Sequence, residues 1–142
     1  MKTTKHFALM VMAVALVLGT AAPATAGGTH FKLDLYPPAD SPLPNASGSV
    51  ALTLYYEADY RLDSVSVSRL APNTSYYMPL TVYDFDSGQW IATSLQFQTN
   101  QRGNWLGSLE WHLAVYWTWG GGPFLPPFDV YDSSTHTLVL TN

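Results

Sequence analysis

The chain contains no cysteine. That removes disulfide frameworks, thiol catalysis and cysteine-ligated zinc at once. It also sets a condition: an exported domain without disulfides must be held by its core alone. Charge is scarce as well, at 11% of residues, and the basic sign is scarcer, with 6 Lys and Arg against 10 Asp and Glu. Nucleic-acid binding needs a basic face, and adsorption to anionic membranes needs polybasic segments. Neither fits this balance. Enzyme signatures are lacking too: there is no G-x-S-x-G elbow, phosphate-binding loop or dinucleotide fingerprint. His30, His112 and His136 show no metal-pair spacing, and Glu57 and Glu110 are the only glutamates. A glycosidase pair drawn from Glu110 and an aspartate is required by nothing in the spacing. The expectation is a non-catalytic protein with no cofactor.

What is present begins with a targeting pattern. Lys2 and Lys5 form a positive start, Phe7 to Leu18 an uncharged apolar run, and Ala24-Thr25-Ala26 a small-residue cleavage site. The run is shorter than the roughly 20 residues that span a membrane. Residues 1–26 are therefore expected to be a signal peptide, and 27–142 one secreted or extracytoplasmic domain, whether periplasmic, extracellular or on the cell surface. Cleavage would leave 116 residues with four basic against ten acidic groups, a formal charge near −6, and no membrane segment. Core material is plentiful, with five Trp, nine Tyr and five Phe beyond Ala26.

After Ala26 the apolar residues follow a period of two, not of 3.6. Phe31, Leu33 and Leu35 alternate up to Pro37-Pro38. Residues 37–48 read as a Pro-rich connection. Val50, Leu52 and Leu54 alternate next, then Val65 and Val67 with Ser64, Ser66 and Ser68. Met78, Leu80 and Val82 continue the face of Tyr76, and Asp84 to Gly88 turns the chain. Leu95 and Phe97 share a face in the strand from Trp90 to Thr99. Asn100 to Asn104 reads as a hairpin turn with Gly103 at positive φ. The longest run follows, with Leu109, Trp111, Leu113, Val115, Trp117 and Trp119 on one parity, closed by Gly120-Gly121-Gly122-Pro123. Trp111 lies mid-run among aliphatic residues and is expected to be buried. Two short strands around Asp132-Ser133-Ser134 end the chain. The pattern predicts an all-β fold: one antiparallel β-sandwich of about seven to nine strands.

The segment Leu70-Ala71-Pro72-Asn73-Thr74-Ser75-Tyr76 carries the most information. Its Leu-x-Pro-x-Thr-x-Tyr spacing fits a chain crossing from one sheet to another, with the Tyr76 hydroxyl bonded to backbone a few residues upstream. On Leu70, Pro72, Thr74 and Tyr76, and on the strands flanking them, residues 50–105 resemble the fibronectin type III and wider immunoglobulin-like group. The C-terminal third departs from that pattern. The resemblance implies a module for binding, spacing or assembly, with a protein or a glycan as partner.

Two candidate sites stand out. Tyr116, Trp117, Trp119 and Phe124 are aromatic residues around the triple-glycine loop, where rings at a strand end could stack on a sugar or pack on a protein. Carbohydrate binding by Trp117 and Trp119 is the alternative function, and hydrolysis a further one. Asp84 and Asp86, two apart before Gly88, could turn oxygens towards Ca²⁺. The closing glutamate of a calcium loop is missing, however, since Leu95 stands there. The pair reads as an acidic turn, and no metal is expected.

Overall fold

In the computed structural model the described residues are 28–55, 59–114, 116–118, 122–124 and 127–142; of 116–118 and 122–124 only the backbone is described. The proposed signal segment lies outside them. Ten strands follow in chain order: β1 (Thr29–Leu35), β2 (Ser47–Leu54), β3 (Tyr60–Ser68), β4 (Ser75–Asp84), β5 (Gln89–Gln98), β6 (Trp105–Leu113), β7 (Tyr116–Thr118), β8 (Gly122–Phe124), β9 (Val130–Asp132) and β10 (Leu138–Leu140). No helix occurs among the described residues. Eight strands form one antiparallel sheet in the order β1-β2-β3-β6-β4-β9-β10, with β5 on the other edge of β4. Among the described residues β7 and β8 pair with each other in a separate two-stranded sheet.

The sheet comes close to closing on itself. Tyr36 and Thr141 exchange two backbone hydrogen bonds of 2.7 and 2.8 Å, which tie the two ends of the strand order together. A second narrow seam joins β6 to β4 through the pair Val82↔Leu113 and the bond from Ala114 N–H to the Thr81 carbonyl. Between the seams lie two groups of four strands, β1-β2-β3-β6 and β5-β4-β9-β10. Their facing side chains make the core. Val50 and Leu52, then Leu62, Val65 and Val67, are buried from the first group. Tyr76, Met78, Leu95, Phe97, Val130, Val139 and Leu140 are buried from the second. Phe128, just ahead of β9, is fully enclosed. Period-two alternation thus selects one face of every long strand, and burial of that face is the main term holding a disulfide-free chain together.

The crossing from β3 to β4 is knit by hydrogen bonds. The Ala71 N–H donates to the Tyr76 hydroxyl at 3.0 Å, and Tyr76 itself is buried. Burial raises the Tyr76 phenol above its usual value, partly offset by the Ala71 bond. The Thr74 hydroxyl donates to the Pro72 carbonyl at 2.8 Å, and Leu70 is buried beneath. Thr99 completes the arrangement: its buried hydroxyl donates to the Ala71 carbonyl at 2.6 Å and accepts from the Thr74 N–H at 3.0 Å.

Three expectations need correction. Residues 100–104 are not a hairpin turn, because β5 and β6 belong to different groups and do not pair. The turn instead carries the chain between groups and is clamped to the corner by Leu70 N–H to the Gly103 carbonyl and Asn73 N–H to the Asn100 carbonyl, both 3.0 Å. Gly103 does take positive φ, at 78°. The long aromatic run is not continuous either: β6 stops at Leu113, where the chain reaches across to β4, and β7 starts afresh at Tyr116. Finally, Trp111 is half-buried. It lies near that seam, where the two groups part and leave a groove, so its ring borders open space.

Candidate functional site

β4 and β5 pair without a register break from Ser75↔Gln98 to Asp84↔Gln89. The corner end of this hairpin is packed in the core. The far end outruns it. From Gln89 to Thr93 every residue of β5 is exposed, on both faces. Trp90 is 53% and Phe85 69% exposed, and Ile91 is exposed as well. Apolar side chains left outside a core in a contiguous group mark interaction surfaces more often than scattered ones do.

The rings at this tip are organised. Tyr83 stands opposite Trp90 in the ladder, with centroids 5.0 Å apart and planes at 69°. Phe85 meets Tyr83 at 4.9 Å and 78°, and meets His112 of β6 at 5.1 Å and 83°. Each contact is edge-to-face, the geometry favoured by ring quadrupoles. The cluster therefore has walls at steep angles rather than one flat platform. His112 is held from its other side by Asp59, 2.9 Å from Nδ1.

Below the rings, between the hairpin and β6, opens a groove of about 420 Å³. Val82, Ile91, Thr93 and Trp111 line it, with Tyr83 and Phe85 at its rim and Asp84, Asp86 and Glu110 around it. The turn shaping this rim is local. The Gly88 N–H donates to the Asp84 carbonyl at 2.7 Å, with Gly88 at φ 73°. The Asp84 carboxylate accepts from the Asp86 N–H at 3.2 Å. Bonds from the Ser87 hydroxyl and the Asp86 N–H hold the Asp84 carboxyl below the usual carboxylate range. No group of three His, Cys, Asp or Glu side chains comes together in a metal-holding geometry among the described residues; Asp84 opens an acidic turn closed at Gly88, and Asp86 lies within it.

The other candidates fall elsewhere. Tyr116 and Phe124 face each other in the β7–β8 backbone pairing, as Trp117 and Pro123 do. The side chains of Tyr116, Trp117 and Phe124, and all of Trp119, lie outside the described residues. The histidines are dispersed. His30 Nδ1 is 2.7 Å from the Thr53 hydroxyl, and His136 Nδ1 is 3.1 Å from the Tyr77 hydroxyl. Thr53 also donates to Asp63 at 2.5 Å, and Asp63 accepts from Arg61 Nε at 2.7 Å. This row of His30, Thr53 and Asp63 looks like the parts of a hydrolytic site. Thr53, however, is fully buried, and Asp63 is the residue skipped in both the β2–β3 and β3–β6 ladders. The row clamps three strands across a bulge.

Tyr83, Phe85, Trp90 and Ile91 were not singled out by sequence reasoning, although a signal existed. Strand alternation sends adjacent Trp90 and Ile91 to opposite faces, so both cannot enter one core. Phe85 also sits at a turn apex between two carboxylates. No family model matches the chain, and neither a curated protein nor a solved structure matches it.

Proposed function

We propose that the protein is a non-catalytic, exported immunoglobulin-like β-sandwich of atypical topology that binds a partner through the rings at the β4–β5 tip. The observation carrying this reading is the cluster at the tip, where exposed Phe85 and Trp90 each meet half-buried Tyr83 edge-to-face outside the core. Exposed rings cost little conformational entropy on binding and provide large contact area, which is why aromatic residues anchor interfaces. Two groups of four strands joined at two narrow seams support the sandwich, as does the Ala71–Tyr76 bond. The pattern of residues 1–26 supports export. Steep ring angles favour a polypeptide partner over the flat faces of a glycan.

Two measurements test this. Mass spectrometry of protein recovered outside the cytoplasm should find an N-terminus at Gly27; an intact N-terminus there would overturn the cleaved-signal reading, and protein found only in the cytoplasm would overturn export. Titration of the purified protein with short peptides and with soluble oligosaccharides, followed by Trp fluorescence, should show a response to peptides that the Phe85→Ala, Trp90→Ala double variant loses without a change in Tm. A response to oligosaccharides alone would replace this reading with carbohydrate recognition.

A further inference from the structure

The geometry points to the chemistry of that partner: the groove beside the tip accepts a lysine or arginine side chain of an extended polypeptide segment. This rests on the binding reading above and deepens it. The groove joins two features that are separately unremarkable. Its lining is largely apolar, from Val82, Ile91 and Trp111 with the rings of Tyr83 and Phe85 at the rim, and Asp84, Asp86 and Glu110 stand around it. No Lys or Arg is among its described lining residues. The ion pairs among the described residues use Asp34, Asp59 and Asp63, so none of the three groove carboxylates is neutralised by one. Arg61 raises the question of a neighbouring base, but its guanidinium is committed to Asp63 at 2.7 Å and lies 5.2 Å over the Tyr55 ring.

Charge complementarity then selects the occupant. A long basic side chain buries its methylene stem along apolar surface while its head remains near opposite charge. Ring faces attract such a head further. A small metal ion fits less well, because the carboxylates are spread around the groove and do not converge. An acidic segment would meet three like charges, and a neutral apolar one would leave them partly desolvated without compensation. The whole chain is acidic, so a basic partner is also drawn in at long range and low salt.

The test compares three short peptides of equal length on the purified protein: alternating lysine–glycine, glutamate–glycine and serine–glycine, read by Trp fluorescence and calorimetry. The lysine peptide should bind, and added salt should weaken it. The Asp86→Asn, Glu110→Gln double variant should lower its affinity by about tenfold and flatten its salt dependence, since exposed rim charges each contribute modestly and act through encounter and screening. Both substitutions lie on exposed side chains, and an unchanged Tm shows that the fold is intact. Phe85→Ala should weaken the same peptide. Equal binding of the serine and lysine peptides, or charge-neutral variants that bind the lysine peptide as well as the original, would overturn the cationic assignment and leave the binding reading standing. No response to any peptide, with the fold intact, would overturn both.

Discussion

The two ends of the β4–β5 hairpin make opposite use of the same strand pair. At the corner, Tyr76 and Phe97 stack at 5.9 Å inside the core, and the polar atoms of Ala71, Thr74 and Thr99 are bonded to one another. At the tip, about 24 Å up β4 at the antiparallel rise, half-buried Tyr83 pairs in the same register with exposed Trp90. The ladder is continuous, so the difference is not in the strands. It lies in what stands opposite them: at the corner the 100–104 turn and the facing group β1-β2-β3-β6, at the tip an open groove. One end holds the domain together; the other offers a surface.

Substitutions should separate the ends. The largest loss is expected from Gly103→Ala. A Cβ there would lie 1.9 Å from the Leu70 carbonyl oxygen at φ 78°. The left-handed conformation alone costs roughly 1–2 kcal/mol, and the backbone clash adds to it, so chemical denaturation should show either a loss above that range or failure to fold. A midpoint within error of the parent would mean that the turn is not clamped to the corner.

Tyr76→Phe should come next, at about 1–3 kcal/mol, because the half-buried Ala71 N–H loses its acceptor. Thr99→Val removes two bonds to the same corner and should cost about as much or more. Urea midpoints compare the two directly; a Tyr76→Phe variant as stable as the parent would show the hydroxyl to be idle.

Acid should produce a smaller effect on the corner side. Burial pushes the Asp132 carboxyl up, yet bonds from Ser134 and Thr135 outweigh it and hold the group below its usual 3.8. A lowered carboxylate stabilises the fold above its unfolded value, and that contribution is lost as pH falls through the folded one. Tm should therefore decline as pH drops below about 4, and Asp132→Ala should decline less steeply. Parallel slopes would argue against the turn at Asp132 as a source of acid sensitivity.

The smallest stability change is expected at the tip. Phe85→Ala and Trp90→Ala touch exposed rings and should stay within about 0.5 kcal/mol of the parent. A loss comparable to that of Tyr76→Phe would show that the tip is part of the core and would dissolve the contrast.

Much of the architecture was readable from residue order. Alternation located the long strands, closely at β4 and β5 and with ends several residues off at β3 and β6, because a pleat turns successive side chains to opposite faces whatever surrounds them. The positive φ at Gly103 and the acidic turn at Asp84 followed from local chemistry. The candidate site was far less readable. Alternation says which residues share a face and not which faces are covered, so Val67 and Ile91 look alike in sequence while one is buried and the other exposed. Trp111 misled for the same reason: its aliphatic neighbours imply a core, but its position near the seam puts it on a groove.

Composition and spacing by themselves determined a cysteine-free, strand-built protein with a tyrosine-bearing corner between β3 and β4. These follow from interactions within a few residues, which any fold must respect. Tertiary structure alone decided that β6 returns beside β3, that Thr99 locks the corner from far along the chain, and that rings and carboxylates gather at one open groove. Those outcomes depend on which strands pair and where a ladder ends. Such pairings join residues distant in the chain, and no short-range pattern encodes them.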